Sequence, residues 1–200
     1  MKRASIMTLC ALSVGAGTAA AQSTGMPSFN APYRAFGSHE FGGTLSFPEG
    51  GATGIEGQYK FGYRTWDVGL RGGILDVDAP ADDVVLLGAT GRVRVLTHSQ
   101  DFPFDGAFIL GAGTQDFDNL IMPIGLSLGR RVNIENSSVS IVPYGQPTLF
   151  LVFDNNDLND TVNFALGLGV DVRFGSSFDL RASFGIGDVE GFAVSVVWVR

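Results

Sequence analysis

Charge is scarce in this chain. Asp, Glu, Lys and Arg together make up 16% of its 200 residues, against about 25% in an ordinary soluble domain. Lysine occurs only as Lys2 and Lys60, and the formal net charge is −7. That balance excludes a nucleic-acid partner, because phosphate binding needs a basic surface. Cys10 is the single cysteine, which excludes an intramolecular disulfide and a cysteine-based metal cluster. Histidine occurs twice, as His39 and His98, which limits imidazole chemistry to two places. Long apolar runs are also missing. After residue 21, Gly, Asp, Arg or Pro breaks every apolar stretch well short of the roughly 20 residues that a spanning helix needs. Glycine, at 28 residues, and Phe, at 16, are abundant instead.

The first residues read as an export signal. Lys2 and Arg3 form a positive start, Ile6 to Ala16 an apolar or small-residue stretch, and Ala19-Ala20-Ala21 an A-x-A cleavage site. The expected organisation is a signal peptide over 1–21, a flexible lead-in over 22–32 (QSTGMPSFNAP), and one domain over 33–200.

That domain alternates. In TVNFALGLGVDVRF, Val162, Phe164, Leu166, Leu168, Val170, Val172 and Phe174 share one face, and Thr161, Asn163, Ala165, Gly167, Gly169, Asp171 and Arg173 the other. This is period two over fourteen residues, the signature of a strand. Phe178 to Ile186 repeats it, as does Ile55 to Arg64. Weaker versions lie around Trp66–Ile74, Val85–Val95, Phe104–Gly111, Met122–Gly129 and Phe192–Trp198, with the poorest near Phe36–Phe47 and Val139–Phe153. Pro143 and Pro147 in the last of these predict an irregular register or a bulge. Ten segments result, an even number. Backbone crossing lipid must satisfy its own hydrogen bonds, which leaves a closed barrel where no helix can span. The expected fold is therefore all-β: a closed, antiparallel, up-and-down transmembrane β-barrel of about ten strands, with eight and an external hairpin as the alternative.

The non-apolar face indicates what lies inside. It is rich in Gly, Ala, Ser and Thr, with few charges of both signs, where a water-facing surface would carry many Lys and Glu. The candidate lumenal charges are the acids Glu40, Glu56, Asp67, Asp105, Asp171 and Asp179 and the bases Lys60, Arg64, Arg71, Arg92, Arg94, Arg173 and Arg181. A charge withdrawn from water must be paired, so Arg–carboxylate networks are expected across the interior. Gly111, Gly113, Gly125, Gly129, Gly167 and Gly169 leave some room there.

The turns segregate by charge. The predicted outer loops Pro48–Ala52, Asp76–Asp83, Thr114–Asn119, Asp154–Asp160 and Gly187–Glu190 hold acids and no Lys or Arg. Arg34, Arg64, Arg130, Arg131, Arg173 and Arg200 fall near the other end, as do Tyr63, Trp66, Phe102, Phe104, Phe174, Phe178 and Trp198, an aromatic girdle. The leader, the alternating strands, the acidic loops and the final stretch GFAVSVVWVR resemble the small bacterial outer-membrane barrels of the OmpA/OmpX/OmpW type. The resemblance implies an outer-membrane location and insertion by the barrel-assembly machinery.

Little chemistry is legible. His98 lies in the turn THSQD beside Ser99 and Asp101, and His39 between Ser38 and Glu40; adjacency in a turn does not build a triad. The Asp154–Asp160 loop is oxygen-rich but lacks the EF-hand glycine and terminal glutamate. GLGVDVRFG and GAGTQ lack the strand–turn–helix context of a phosphate loop. No cofactor is expected. The expected partners are outer-membrane lipid and lipopolysaccharide, through divalent cations shared with the acidic loops. The expected role is non-enzymatic, structural or surface-interacting. A narrow passive channel, a lipid-modifying enzyme and a soluble secreted barrel are the alternatives.

Overall fold

The computed structural model describes residues 23–32, 37–77, 82–154 and 161–200. The leader expected over 1–21, Gln22, Arg34, Phe36 and parts of two acidic loops (78–81 and 155–160) lie outside the described residues. The strands are β1 (His39–Pro48), β2 (Thr53–Tyr63), β3 (Trp66–Asp76), β4 (Val84–Leu96), β5 (Asp105–Gln115), β6 (Asn119–Gly129), β7 (Val132–Asn133), β8 (Val139–Asp154), β9 (Thr161–Phe174), β10 (Phe178–Gly187) and β11 (Gly191–Val199). Ten are long. The two-residue β7 only extends the turn before β8.

All pairings are antiparallel between sequence neighbours, apart from two that close the ring. β1 pairs with β11 from Glu40↔Val199 to Pro48↔Gly191, and β6 pairs with β8 across β7. Closure removes every exposed strand edge. The result is a closed ten-strand up-and-down barrel, and the eight-strand alternative is excluded. The expected bulge in Val139–Phe153 does not occur. β8 keeps one register against β9 from Val139↔Phe174 to Val152↔Thr161. On its β6 side, pairs are missing only between Gly125↔Thr148 and Leu128↔Gly145, around Pro147, which has no N–H to donate. The register shift lies instead in β4, between Arg94 and Leu96.

The wall is inverted relative to a soluble protein. Val162, Phe164, Leu168, Leu180, Phe184 and Trp198 are exposed outward, and Val162 reaches 66%. Glu40, Asp67, Asp171 and Asp179, by contrast, are at most 1% exposed. An apolar outer band around a polar interior is the surface of a barrel that spans a membrane. Aromatic contacts cluster at the end carrying the β2–β3 and β9–β10 turns. There Tyr63 and Trp66 have ring centroids 5.8 Å apart, Phe174 and Phe178 5.9 Å, and Phe178 and Trp198 5.8 Å. Both His39 and Arg200 lie at this same end, joined backbone to backbone. It is called the terminal end below, and the opposite one the loop end.

Candidate functional site

Ten strands enclose more space than wall side chains alone fill; about eight already bring them together. Ser23 to Pro32 occupies the surplus. Every residue of this segment is buried, so the stretch expected as a flexible lead-in runs inside the barrel. It reads as a loop because Gly, Pro, Ser and Asn dominate it, and it has no period because the strands hold it through side chains. Among the described residues it makes no backbone-to-backbone bond to any strand; its own Ser28 N–H donates to the Met26 carbonyl, 2.7 Å away.

Near the loop end the contacts are mainly apolar, beside two hydrogen-bond contacts: Gln115 Nε2 donates to the Thr24 carbonyl at 3.2 Å, and Ser23 Oγ lies 3.2 Å from Thr90 Oγ1. Met26 packs with Leu75 and Leu86. Phe29 belongs to a cluster with Ile121, Tyr144, Phe150, Ala165 and Val189. Small wall residues make the space: a Cβ at Gly167 would strike the Phe29 ring, one at Gly88 would strike Ser23, and one at Gly54 would lie 2.9 Å from Met26 Sδ.

Towards the terminal end the contacts are polar. Asn30 Oδ1 accepts from Lys60 Nζ at 2.5 Å and from Arg181 Nη1 at 3.4 Å. The Asn30 N–H donates to Gln146 Oε1 at 3.2 Å, and its carbonyl accepts from Ser127 Oγ at 2.6 Å. The Ala31 carbonyl accepts from Arg92 Nη1 at 2.8 Å, and the Ala31 N–H reaches Asp171 Oδ2 at 3.4 Å. Tyr144 OH donates to the Phe29 carbonyl at 2.8 Å, Ser183 Oγ donates to the Pro27 carbonyl at 2.9 Å, and Arg71 bonds Ser28 Oγ.

Most of the sequence-predicted lumenal charges meet here. Asp67 and Arg92 face each other across β3 and β4 and form a bidentate pair, with Nε–Oδ1 at 2.9 Å and Nη2–Oδ2 at 2.7 Å. Arg181 reaches Glu40 at 2.5 Å and Asp179 at 3.6 Å. Arg173 grips Asp179 at 2.8 and 2.9 Å and lies 4.0 Å from Glu40. Arg71 reaches Gln58 at 3.0 Å and Glu56 at 3.4 Å. Two predicted members lie elsewhere. Arg64 is exposed in the β2–β3 turn, over the Tyr63 ring at 5.2 Å, because the chain reverses before its side chain can turn inward. Asp105 opens β5 at the rim and takes His98 Nδ1 at 3.0 Å. Arg94 is half-buried near the terminal end of β4.

The segment itself went unread in the sequence. Its available signal was the surplus of inward glycines, including Gly54, Gly88 and Gly185, beyond what a side-chain-filled lumen requires.

Both histidines are peripheral. His39 Nδ1 lies 2.7 Å from Tyr59 OH on the outer wall. His98 is exposed beside Asp105, and Ser99 Oγ is engaged by the Phe102 N–H at 3.2 Å. Outside, a groove of about 600 Å³ is lined by residues including Trp66, Val68, Ala89, Val93, Phe108 and Leu110; it belongs to the apolar band.

No protein-family model and no curated protein matches this chain. Among solved structures it is similar to a de novo designed transmembrane β-barrel, at a TM-score of 0.45 and 10% identity over 85% of this chain and 100% of the other. It is also similar to the β domain of the Bordetella autotransporter BrkA, at a TM-score of 0.46 and 12% identity over 81% and 96%.

Proposed function

We propose that this protein is an outer-membrane barrel with a non-enzymatic role, structural or surface-interacting, and that its lumen is closed at rest by its own N-terminal segment. The single observation behind this reading is the buried course of Ser23–Pro32 between the ion pairs and the apolar clusters. Those ten buried residues occupy the lumen that a passive channel would need, which disfavours the passive-channel reading for the intact chain. The exposed His98–Asp105 pair at the rim, with Ser99 engaged elsewhere, has the geometry of a turn and not of a nucleophile and its base.

The surface role falls to the loop end. Glu49, Asp82, Asp83, Asp118 and Glu190 stand there beside the apolar band, and their carboxylates would share divalent cations with lipopolysaccharide phosphates through oxygen ligands. Asp116 and Asp188 are otherwise engaged, accepting from the Val85 and Phe164 N–H groups at 2.6 and 2.7 Å. Insertion would use the barrel-assembly machinery. The test is reconstitution of the full chain in planar bilayers. A stably inserted, heat-modifiable protein with no conductance steps is expected, and steady stepwise conductance would overturn the closed reading.

A further inference from the structure

We propose that the lumen is a binding site for a peptide segment, ordinarily Ser23–Pro32 of this chain, and that withdrawing the segment makes the barrel an ion-conducting pore. The inference rests on the closed-barrel reading and adds that the closure is separable.

Three observations carry it. The first is that the wall is complete without the segment. Each long strand is paired on both sides, and no strand-to-strand bond passes through Ser23–Pro32. Most guanidiniums also keep a carboxylate of the wall: Arg92 has Asp67, Arg181 has Glu40, and Arg173 has Asp179.

The second is that the wall is shaped to its occupant. The three atoms nearest to a Cβ at Gly167 all belong to the Phe29 ring, so that glycine's smoothness makes room for the segment. Asn30 is held from several sides, by Lys60 and Arg181 on its carboxamide oxygen and by Gln146 and Ser127 on its backbone. Such a site selects a short side chain with an acceptor oxygen at one position and an aromatic ring just before it.

The third is that the surface left behind towards the terminal end is polar. Ser46 Oγ, Glu56 Oε1 and Gln58 Nε2 are buried without a protein partner even with the segment in place. Buried polar atoms of this kind are ordinarily satisfied by water. An apolar core that lost ten residues would leave a void and collapse. A lumen lined by Glu40, Lys60, Asp67, Arg92, Asp171 and Arg181 would instead fill with water and ions, as polar barrel interiors do.

The experiment inserts a protease recognition sequence after Gly37. That residue is exposed, at φ 78°, with nothing within 4 Å of the Cβ it lacks. The full chain is assembled, reconstituted and recorded before and after cutting. Silence before the cut and stepwise conductance after it are expected, with conductance lost again when synthetic STGMPSFNAP is added. The same peptide with alanine in place of its Phe and Asn should not block. In a second variant, Gly167→Ala, the uncut chain should gain conductance because the Phe29 ring is displaced. Silence after complete cutting, together with a silent Gly167→Ala barrel, would overturn the inference and leave the closed reading standing. Conductance before cutting would instead overturn the closed reading itself.

Discussion

The two ends of the lumen hold the same segment by different means. At the loop end Met26 and Phe29 are gripped by Leu75, Leu86, Ile121, Phe150 and Val189. At the terminal end Asn30 and Ala31 are gripped by Lys60, Arg92, Gln146 and Arg181. Apolar contact is non-directional and scales with area. It supplies affinity but tolerates sliding. Hydrogen bonds to charged groups are directional and expensive to leave unmade, so they supply register. A segment held only by the first end would creep, and one held only by the second would be weakly bound.

The largest effect should come from the charged end, at Asp67→Ala. Arg92 is 2% exposed along its side chain. Removing its bidentate partner takes the carboxylate away from a buried guanidinium, a loss of about 3–5 kcal/mol. Urea unfolding in lipid vesicles, followed by heat-modifiable migration, measures it. A loss no greater than that of an outward Val→Ala would show that water reaches this pair and that the two ends are less different than they look.

Phe29→Ala comes next. It empties a fully packed pocket at the loop end and should cost about 3 kcal/mol. Because the loss is apolar, it should stay the same between low and high salt. A strong salt dependence would mean that the ring acts by aligning Asn30, and the comparison would fail from the other side. Asn30→Ala should cost about 1–3 kcal/mol, the penalty for leaving the buried Lys60 Nζ without this acceptor. A double-mutant cycle between Phe29→Ala and Asn30→Ala sharpens the comparison further. Adjacent residues of one segment, held by different parts of the wall, should couple, and additivity would mean independent anchors.

The outer wall was legible residue by residue, and the inner volume was not. Lipid asks every second residue to be apolar, so Val162, Phe164 and Leu168 announced β9 in the sequence and stand outward in the structure. The cross-strand charge pairs followed from the same alternation, and they failed only where alternation itself stops. Arg64 sits at a reversal and Asp105 at the first residue of a strand. No such rule governs Ser23–Pro32, because a segment without strand partners repeats nothing. The inward glycines were visible and suggested room for solute. Gly113 and Gly167 do make room, but Ser23 and Phe29 take it. Reading that required knowing which two parts of the chain meet across 90 and 138 positions, and no local pattern encodes this.

The smallest predicted effect lies at Arg64, the residue that alternation misplaced. It is the first of two residues joining β2 to β3, and its φ of 55° falls where a Cβ crowds the backbone. Two-residue hairpins of this kind favour glycine at that position. Arg64→Gly would relieve roughly 1 kcal/mol of that crowding. It would forfeit about 0.5–1 kcal/mol of cation–π contact with Tyr63, and it loosens the unfolded chain by a similar amount. The terms nearly cancel, so stability should change by less than about 0.5 kcal/mol, the range of ordinary surface substitutions. The same urea titration reads it. A loss of the size expected for Asp67→Ala would mean that this arginine anchors the terminal end after all, and the boundary drawn here between lumenal and rim charges would have to move.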